Sequence, residues 1–405
     1  MNKQELTYWV ALALMPRMWT KRKNEIYVKC YNHNPQISII DLFEKTSIWD
    51  ILEITDNEKE LFSTAKNQLA NHSFLVEEML SQGYDILPIT CEEYPKALKS
   101  NLKYNAPVVI YTKGNKAILN EHSIAIVGSR NADGVSLTFT DNVAKHAVAD
   151  KKTVVSGFAK GVDRQALDST VGIGGSSVIV LPQGIMTFSS GFKQYFKHLS
   201  QGKLLVMSVF APKAPWSVEF AMSRNSIIYA LASEIFVAQS DDKGGTWAGA
   251  TEGLKKNRPV FVRVPQPSEK NANMLLIQKG AKPVDMDGRL FDLTPKDMKT
   301  PEQKKEEDTN ASILNVMKSI DKISAKELIA RLNLDWTDDK MKKHLDKMAE
   351  VEKIKVKNRI FFKLKGSQQL NLFSSTEEIN QTEQSDGVSF ACEDPAFNLF
   401  SKRDV

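Results

Sequence analysis

The sequence predicts an α/β protein: a doubly wound, mostly parallel sheet with an N-terminal helical domain and a C-terminal winged-helix domain. Three observations predict it. Short β-branched runs recur between about residues 105 and 292: "PVVIYT", "SIAIVGS", "KTVVSG", "SSVIVLP", "GKLLVMSVF", "EIFVAQ" and "RPVFVRV". They alternate with helical stretches, and near-continuous apolar strands separated by helices imply a parallel sheet covered on both faces. Residues 1–88 instead place apolar residues at three- and four-residue spacing. Residues 310–366 read as three short helices and a hairpin, the winged-helix arrangement.

Taken in order, the first apolar run is "YWVALALM" (Tyr8–Met15). It is too short to span a bilayer, and Pro16, Arg17 and a Lys-Arg-Lys run follow it in place of a cleavage site. It reads as a core helix of a cytoplasmic protein without a membrane partner. "DLFEKTSIWDILEI" and "ELFSTAKNQLANHSFLVEEMLSQG" continue the helical texture until Gly83 supplies a stop. The α/β domain is assigned to residues 89–292. Residues 293–309 are polar, charged and proline-punctuated, the composition of a linker. In the winged-helix domain "ASILNVMKSI" is the first helix, and "SAKELIARLNL" opens with a capping box of Ser324 and Glu327. "TDDKMKKHLDKMAEVEKI" is the third, before two strands around Lys357–Asn358–Arg359. Residues 367–405 read as a disordered acidic tail.

The 405 residues are 42% apolar and 25% charged, as in a soluble globular protein. Cys30, Cys91 and Cys392 are far apart, which argues against a disulfide scaffold or zinc ribbon. The formal charge of +5 is uneven: Gly366–Val405 carries −5, leaving +10 for residues 1–365. A basic body with an acidic tail points to a polyanionic partner, although a lysine-rich surface gives the same count.

Ligands on parallel sheets sit at the carboxyl ends of the strands. Four strand-end segments there carry anion-binding chemistry. The first is "IVGSR", where Gly128 allows close backbone approach, Ser129 offers a hydroxyl and Arg130 a bidentate fork. The second is "VVSGFAKGVD", with Ser156, Gly157, Phe158, Lys160 and Gly161. The third is "SRNSII", with Arg224 and Asn225. The fourth is "DDKGGTWAGATEGL", where Gly244, Gly245 and Thr246 open a helix. Each alone also reads as an ordinary tight turn; together they make an anion site. Little suggests catalysis. The six histidines form no H-x-x-x-H pair, no G-x-S-x-G elbow appears, and no metal site or cofactor is expected. Asp163 reads either as a base or as a helix cap.

In this order the motifs are identified with a known family. "YPKAL", "APVVIYTKG", "IAIVGSR", "VVSGFAKGVD", "SSVIVLPQGI", "SRNSIIYALA" and "NMLLIQKGAKPV" resemble the DprA/Smf family of DNA-processing proteins across roughly residues 90–290. The resemblance implies a Rossmann-like domain that binds single-stranded DNA without cutting it and helps load a RecA-type recombinase. It also implies a pocket built from the loops matching Gly128–Arg130 and Ser156–Gly161 and from the arginine matching Arg224. Such strand-end donors hold phosphates without reading sequence, and an aromatic such as Phe158 would stack bases. The chain departs from the pattern at several positions. Lys160 stands where arginine is usual, Leu167 replaces a histidine, Ser226 replaces the second arginine of R-N-R, and Val209 replaces an acid. The Tyr-Pro that normally follows "PQGI" is missing. Fewer charged contacts imply a lower phosphate affinity and a shallower salt slope.

The reading that follows is a non-enzymatic single-stranded DNA-binding protein, a homodimer or higher oligomer, acting in DNA uptake, recombination or defence. Two alternatives stay open. One is a sensor or hydrolase of a nucleotide-derived small molecule, with Asp163 or Glu252 as its carboxylate. The other is a clamp- or recombinase-binding adaptor with a vestigial pocket. In the tail, Gln369, Leu370, Leu372 and Phe373 of "QLNLF" are similar to the peptide by which bacterial repair proteins hook onto the DNA sliding clamp, and "AFNLFSK" echoes it. In the third winged helix, Lys340, Lys342, Lys343 and Lys347 read as a DNA-groove helix or as a solvated lysine face, since Asp338, Asp339 and Asp346 lie among them.

Overall fold

The computed structural model describes residues 1–293, 301–356 and 359–366, with backbone alone at 301–304. It forms two units, Met1–Lys305 and Glu306–Val405. Among the described residues no helix is long and apolar enough to cross a membrane.

The first unit is built on a nine-stranded sheet: β1 (Asp85–Pro88), β2 (Val109–Gly114), β3 (Ser123–Val127), β4 (Thr153–Ser156), β5 (Ser177–Val180), β6 (Leu204–Ser208), β7 (Glu234–Val237), β8 (Val260–Arg263) and β9 (Lys282–Val284). Their spatial order is β1-β2-β6-β5-β4-β3-β7-β8-β9. The seven strands from β6 to β9 in that order pair in parallel. β2 pairs antiparallel with both β1 and β6, so it alone runs against the rest, and β1 forms the edge. Each β-branched run therefore becomes one strand. The sequence pattern misses β1 and β9, which are only four and three residues long and contain Pro88 and Pro283. Proline is tolerated at sheet edges, where its missing donor costs no ladder bond.

Alternation along the strands supplies two separate cores. Ile124, Ile126 and Val154 pack beneath the helices Gly134–Ala149 and Val162–Gly172. On the opposite face Ala125, Val127, Val155 and Val178 meet the helix Asn225–Leu231. Helices on both faces explain why these strands read as unbroken apolar runs.

The N-terminal helices Lys3–Leu14, Thr20–His33, Ile39–Glu44, Asp56–Asn67 and Leu69–Ser81 share one core with the sheet. Trp9, Leu12, Phe43 and Phe62 lie in the same cluster as Ile86, Tyr111, Ile179 and Val206. The expected N-terminal helical domain is thus packed on the sheet. The helices end at Ser81, and β1 already belongs to the sheet. "YWVALALM" is indeed a core helix, with Trp9, Val10, Ala11 and Leu12 at 2% exposure or less.

The second unit has most of the helix Pro301–Lys318, which begins before it, and the helices Ala325–Leu332 and Asp338–Leu345, followed by β10 (Val351–Val356) paired antiparallel with β11 (Arg359–Leu364). Ile313, Leu328, Met341, Leu345 and Phe362 fill its core. Two expectations change. The first helix begins at Pro301, inside the expected linker, because proline suits the first helical position and Glu-Gln-Lys runs favour helix. The third helix stops at Leu345 instead of continuing to residue 354, because Val351–Val356 is taken up by pairing with β11. Its lysine face is partly self-neutralised: Lys342 pairs with Asp338 at 2.5 Å, and Lys340 lies 4.6 Å from the Trp336 ring centroid. The remainder of the expected linker, the turn at 357–358 and the tail segment with Gln369, Leu370, Leu372 and Phe373 lie outside the described residues.

Candidate nucleic-acid interface

The strand order reverses between β3 and β7: β4, β5 and β6 lie on one side, β8 and β9 on the other. The loops leaving the carboxyl ends of such a pair must diverge, which opens a crevice. A pocket of about 360 Å³ occupies it. Two loops far apart in sequence form its rim. The Ser129 N–H donates to the Gln239 carbonyl at 2.9 Å, and the Asp133 N–H to Gln239 Oε1 at 3.1 Å. The Ser129 hydroxyl accepts from the Asn131 N–H at 3.1 Å, so its own proton remains available to a ligand. Arg130 is exposed beside it.

The helix Gly244–Lys255 forms the facing wall. Its N-cap is Lys243, with no side-chain capping bond, so the first-turn N–H groups of Gly244, Gly245 and Thr246 lack the partner a Ser or Asp cap would supply. First-turn N–H groups and the helix dipole favour an anion at this end, where exposed Lys243 brings a positive charge and exposed Asp241 a negative one.

Arg224 lies at the back wall and is only 3% exposed. Its Nη2 donates to Asp163 Oδ2 at 3.3 Å, while Nε and Nη1 are buried without a hydrogen-bond partner. Burial lowers its pKa and Asp163 opposes that shift. The guanidinium lies over Gly157, where a Cβ would fall on it. Glycine at 157 is thus required by this packing. Gly161, at φ 84°, lies against the Ser129 carbonyl and begins the helix that carries Asp163. Tyr229 closes the floor, its phenol pKa raised by burial.

Of the predicted residues, the crevice brings together Gly128, Ser129 and Arg130 with Arg224, Asn225, Gly244, Gly245 and Thr246. The second glycine loop behaves differently. Ser156 donates its hydroxyl to the Ile126 carbonyl at 3.0 Å inside the sheet, and Gly157 is covered by Arg224. Phe158, at φ 65°, packs edge-on against Phe188 (4.8 Å) and Tyr195 (5.8 Å) under the Arg164 guanidinium (3.8 Å). Its ring is occupied, so the expected base-stacking role does not fit this arrangement. Lys160 is exposed but does not line the crevice. Asp163 is a buried counter-ion that also accepts from the Ala159 N–H at 3.4 Å, and the helix N-cap is Gly161. That corrects both the base and the cap reading. The departures from the family pattern have local explanations. Leu167 is core, Ser226 donates to the Ser223 carbonyl at 2.8 Å, and Val209 packs against the central core.

Sequence reasoning missed Lys243, Val218 and Met222, which also line the crevice. Lys243 stands directly before the glycines of "KGGT" and was legible as their charged neighbour. The exposed Val218 and Met222 were not, because only the fold brings residues 218–222 beside the β3 loop.

Residues 85–293 match the family model for DNA recombination-mediator protein A. The DNA processing protein DprA of Bacillus subtilis is 28% identical over 218 residues, covering 53% of this chain and 72% of that protein. The DNA processing protein DprA of Streptococcus pneumoniae is 28% identical over 159 residues, covering 39% of this chain and 56% of that protein. The X-ray structure of DprA from Streptococcus pneumoniae superposes with a TM-score of 0.55 at 22% identity, over 70% of this chain and 95% of that chain, and supports the fold. With the family model covering more than half of the sequence, this chain belongs to the DNA recombination-mediator protein A family.

Proposed function

We propose that the crevice between β3 and β7 binds the phosphate backbone of single-stranded DNA without reading its sequence and without cutting it. One observation carries this reading: the hydroxyl of Ser129, the side chain of Arg130 and the uncapped first turn at Gly244–Thr246 converge on one pocket at the sheet's switch point. These are phosphate-holding groups, and such contacts position a strand without specifying bases. Arg224, paired with Asp163 behind the wall, holds the glycine loop at Gly157 in place instead of offering a direct fork. Phe158 being occupied, the exposed side chains of Val218 and Met222, with Trp216 just before them, offer the apolar surface for bases. A strand held by its phosphates leaves bases accessible to a RecA-type recombinase. The loading role, the homo-oligomer and a sliding-clamp hook at Gln369, Leu370, Leu372 and Phe373 belong to this proposal and rest on family membership and sequence motifs alone.

The hydrolase alternative is disfavoured by the two carboxylates it would use. Asp163 is neutralised by Arg224, and Glu252 is paired with Lys256 at 2.6 Å.

Fluorescence anisotropy of labelled oligo-dT across a salt series tests the reading. Arg130→Ala and Lys243→Ala should each weaken binding several-fold and reduce the salt slope by about 0.7, the value of one single-strand phosphate contact. Absence of wild-type binding at low salt would sink it.

A further inference from the structure

A second and larger pocket, of about 790 Å³, adjoins the crevice. The two share Met222, Asn225, Tyr229 and Gly245, so these residues border both. Nothing in the phosphate-pocket reading uses the second cavity.

Its walls have an unusual make-up. The helix Gly244–Lys255 presents Gly245, Gly249 and Gly253 at four-residue spacing along the wall. These positions lie on one helix face, which packs closely on its neighbours: Gly245 on Asn225, Gly249 on the Tyr229 ring and Gly253 on Val260. The opposite wall is the 3₁₀ turn Lys103–Asn105, where Tyr104 is 44% exposed. Lys21, Lys103, Lys256 and Arg258 surround the cavity against a single acid, Glu252. Glu252 is satisfied by Lys256 at 2.6 Å, and Arg258 is held by the Ala232 carbonyl. Lys103 is exposed and makes no ion pair among the described residues, while Lys21 has only a 3.7 Å contact to Glu25. The excess positive charge is therefore concentrated on two side chains at the rim.

We propose that the strand held in the phosphate crevice continues past Asn225 and Gly245 into this cavity, where the exposed Tyr104 ring stacks the next base and Lys21 and Lys103 bind the flanking phosphates. The proposal rests on the single-stranded DNA reading and extends it to a second subsite. Its chemistry is that of a flat aromatic group with a flanking anion, which matches a nucleotide unit of any sequence. The N-terminal helical segment acquires a function on this view, since it carries Lys21.

The test is a length comparison: labelled four-nucleotide and twelve-nucleotide oligo-dT, titrated across a salt series. Three proteins are compared with wild type: the Lys21→Ala/Lys103→Ala pair, Ala248→Trp, and Arg130→Ala. Ala248 is exposed and lines the second cavity without lining the first, so the indole fills the second subsite alone. Thermal melts confirm that each variant is folded. For twelve nucleotides the lysine pair should lose about tenfold in affinity at low salt and about 1.4 in salt slope, equivalent to two phosphate contacts. Ala248→Trp should lose several-fold. Four-nucleotide affinity should stay at the wild-type value for both and fall only for Arg130→Ala. If both second-subsite variants bind twelve nucleotides like wild type while Arg130→Ala weakens, the continuation is refuted and the phosphate crevice stands. If Arg130→Ala also binds like wild type, the parent reading falls and the continuation falls with it.

Discussion

Replacing Arg224 by alanine should damage folding before it damages binding. The guanidinium is 3% exposed and Asp163 is 7% exposed, and they face one another at 3.3 Å. Removing the cation leaves a buried carboxylate whose remaining bond is a 3.4 Å contact from the Ala159 N–H. Breaking a buried ion pair by deleting one partner costs about 3–5 kcal/mol, because the uncompensated charge keeps its desolvation penalty. The methyl-free surface of Gly157 would also lose its covering side chain. At about 2 °C per kcal/mol for a unit of this size, the melting temperature should fall by about 6–10 °C. Urea unfolding followed by circular dichroism measures the cost directly. The double variant Arg224→Met/Asp163→Asn removes the orphan charge and should recover more than half of the loss. A single-variant cost below about 1 kcal/mol, or strictly additive costs in the cycle, would refute the buried-pair argument. Weak DNA binding by Arg224→Ala is therefore no measure of a phosphate contact. Arg130→Ala is the cleaner probe, since Arg130 is exposed and makes no ion pair among the described residues.

Two further outcomes are expected. Gly157→Ala places a methyl on the Arg224 guanidinium and should destabilise by about 1–3 kcal/mol, the usual cost of overpacking. In an Arg224→Ala background the same change should cost less than half as much, measurable as non-additive urea midpoints. Glu58 receives two bonds from Arg22, at 2.7 and 2.9 Å, and this pairing lowers its pKa from 4.5 to about 2. The depressed folded value means a contribution fully present above pH 4.5 that is lost as pH falls toward 2, about 3 kcal/mol in all. Stability of wild type minus Glu58→Gln, measured between pH 2 and 6, should shrink through that window; a flat difference would contradict the pairing.

The alternation of apolar runs with helical stretches made seven strands and the parallel sheet legible without coordinates, because strand burial and helix amphipathicity are local properties of the chain. The loops that line the crevice were equally legible, since glycines followed by Ser-Arg or Gly-Thr at a strand end carry their chemistry in adjacent residues. Local pattern also misled. Phe158 and Ser156 sit in a motif that reads as ligand-binding, yet the ring is enclosed by Phe188, Tyr195 and Arg164, and the hydroxyl is spent on Ile126. Those partners come from helices and strands up to 37 residues away, and no spacing rule announces them.

What the sequence determined by itself was the set of elements and the chemical kind of each loop. What tertiary structure decided was which loops meet and which charges remain free. Strand order placed Ser129 beside Gln239 across 110 residues of chain and set Lys243 at the same mouth. Packing turned Arg224 inward to Asp163 and left Arg130 outward. The physical reason is that propensity and periodicity act over a few residues, whereas strand order and the desolvation of a charge depend on contacts between distant segments.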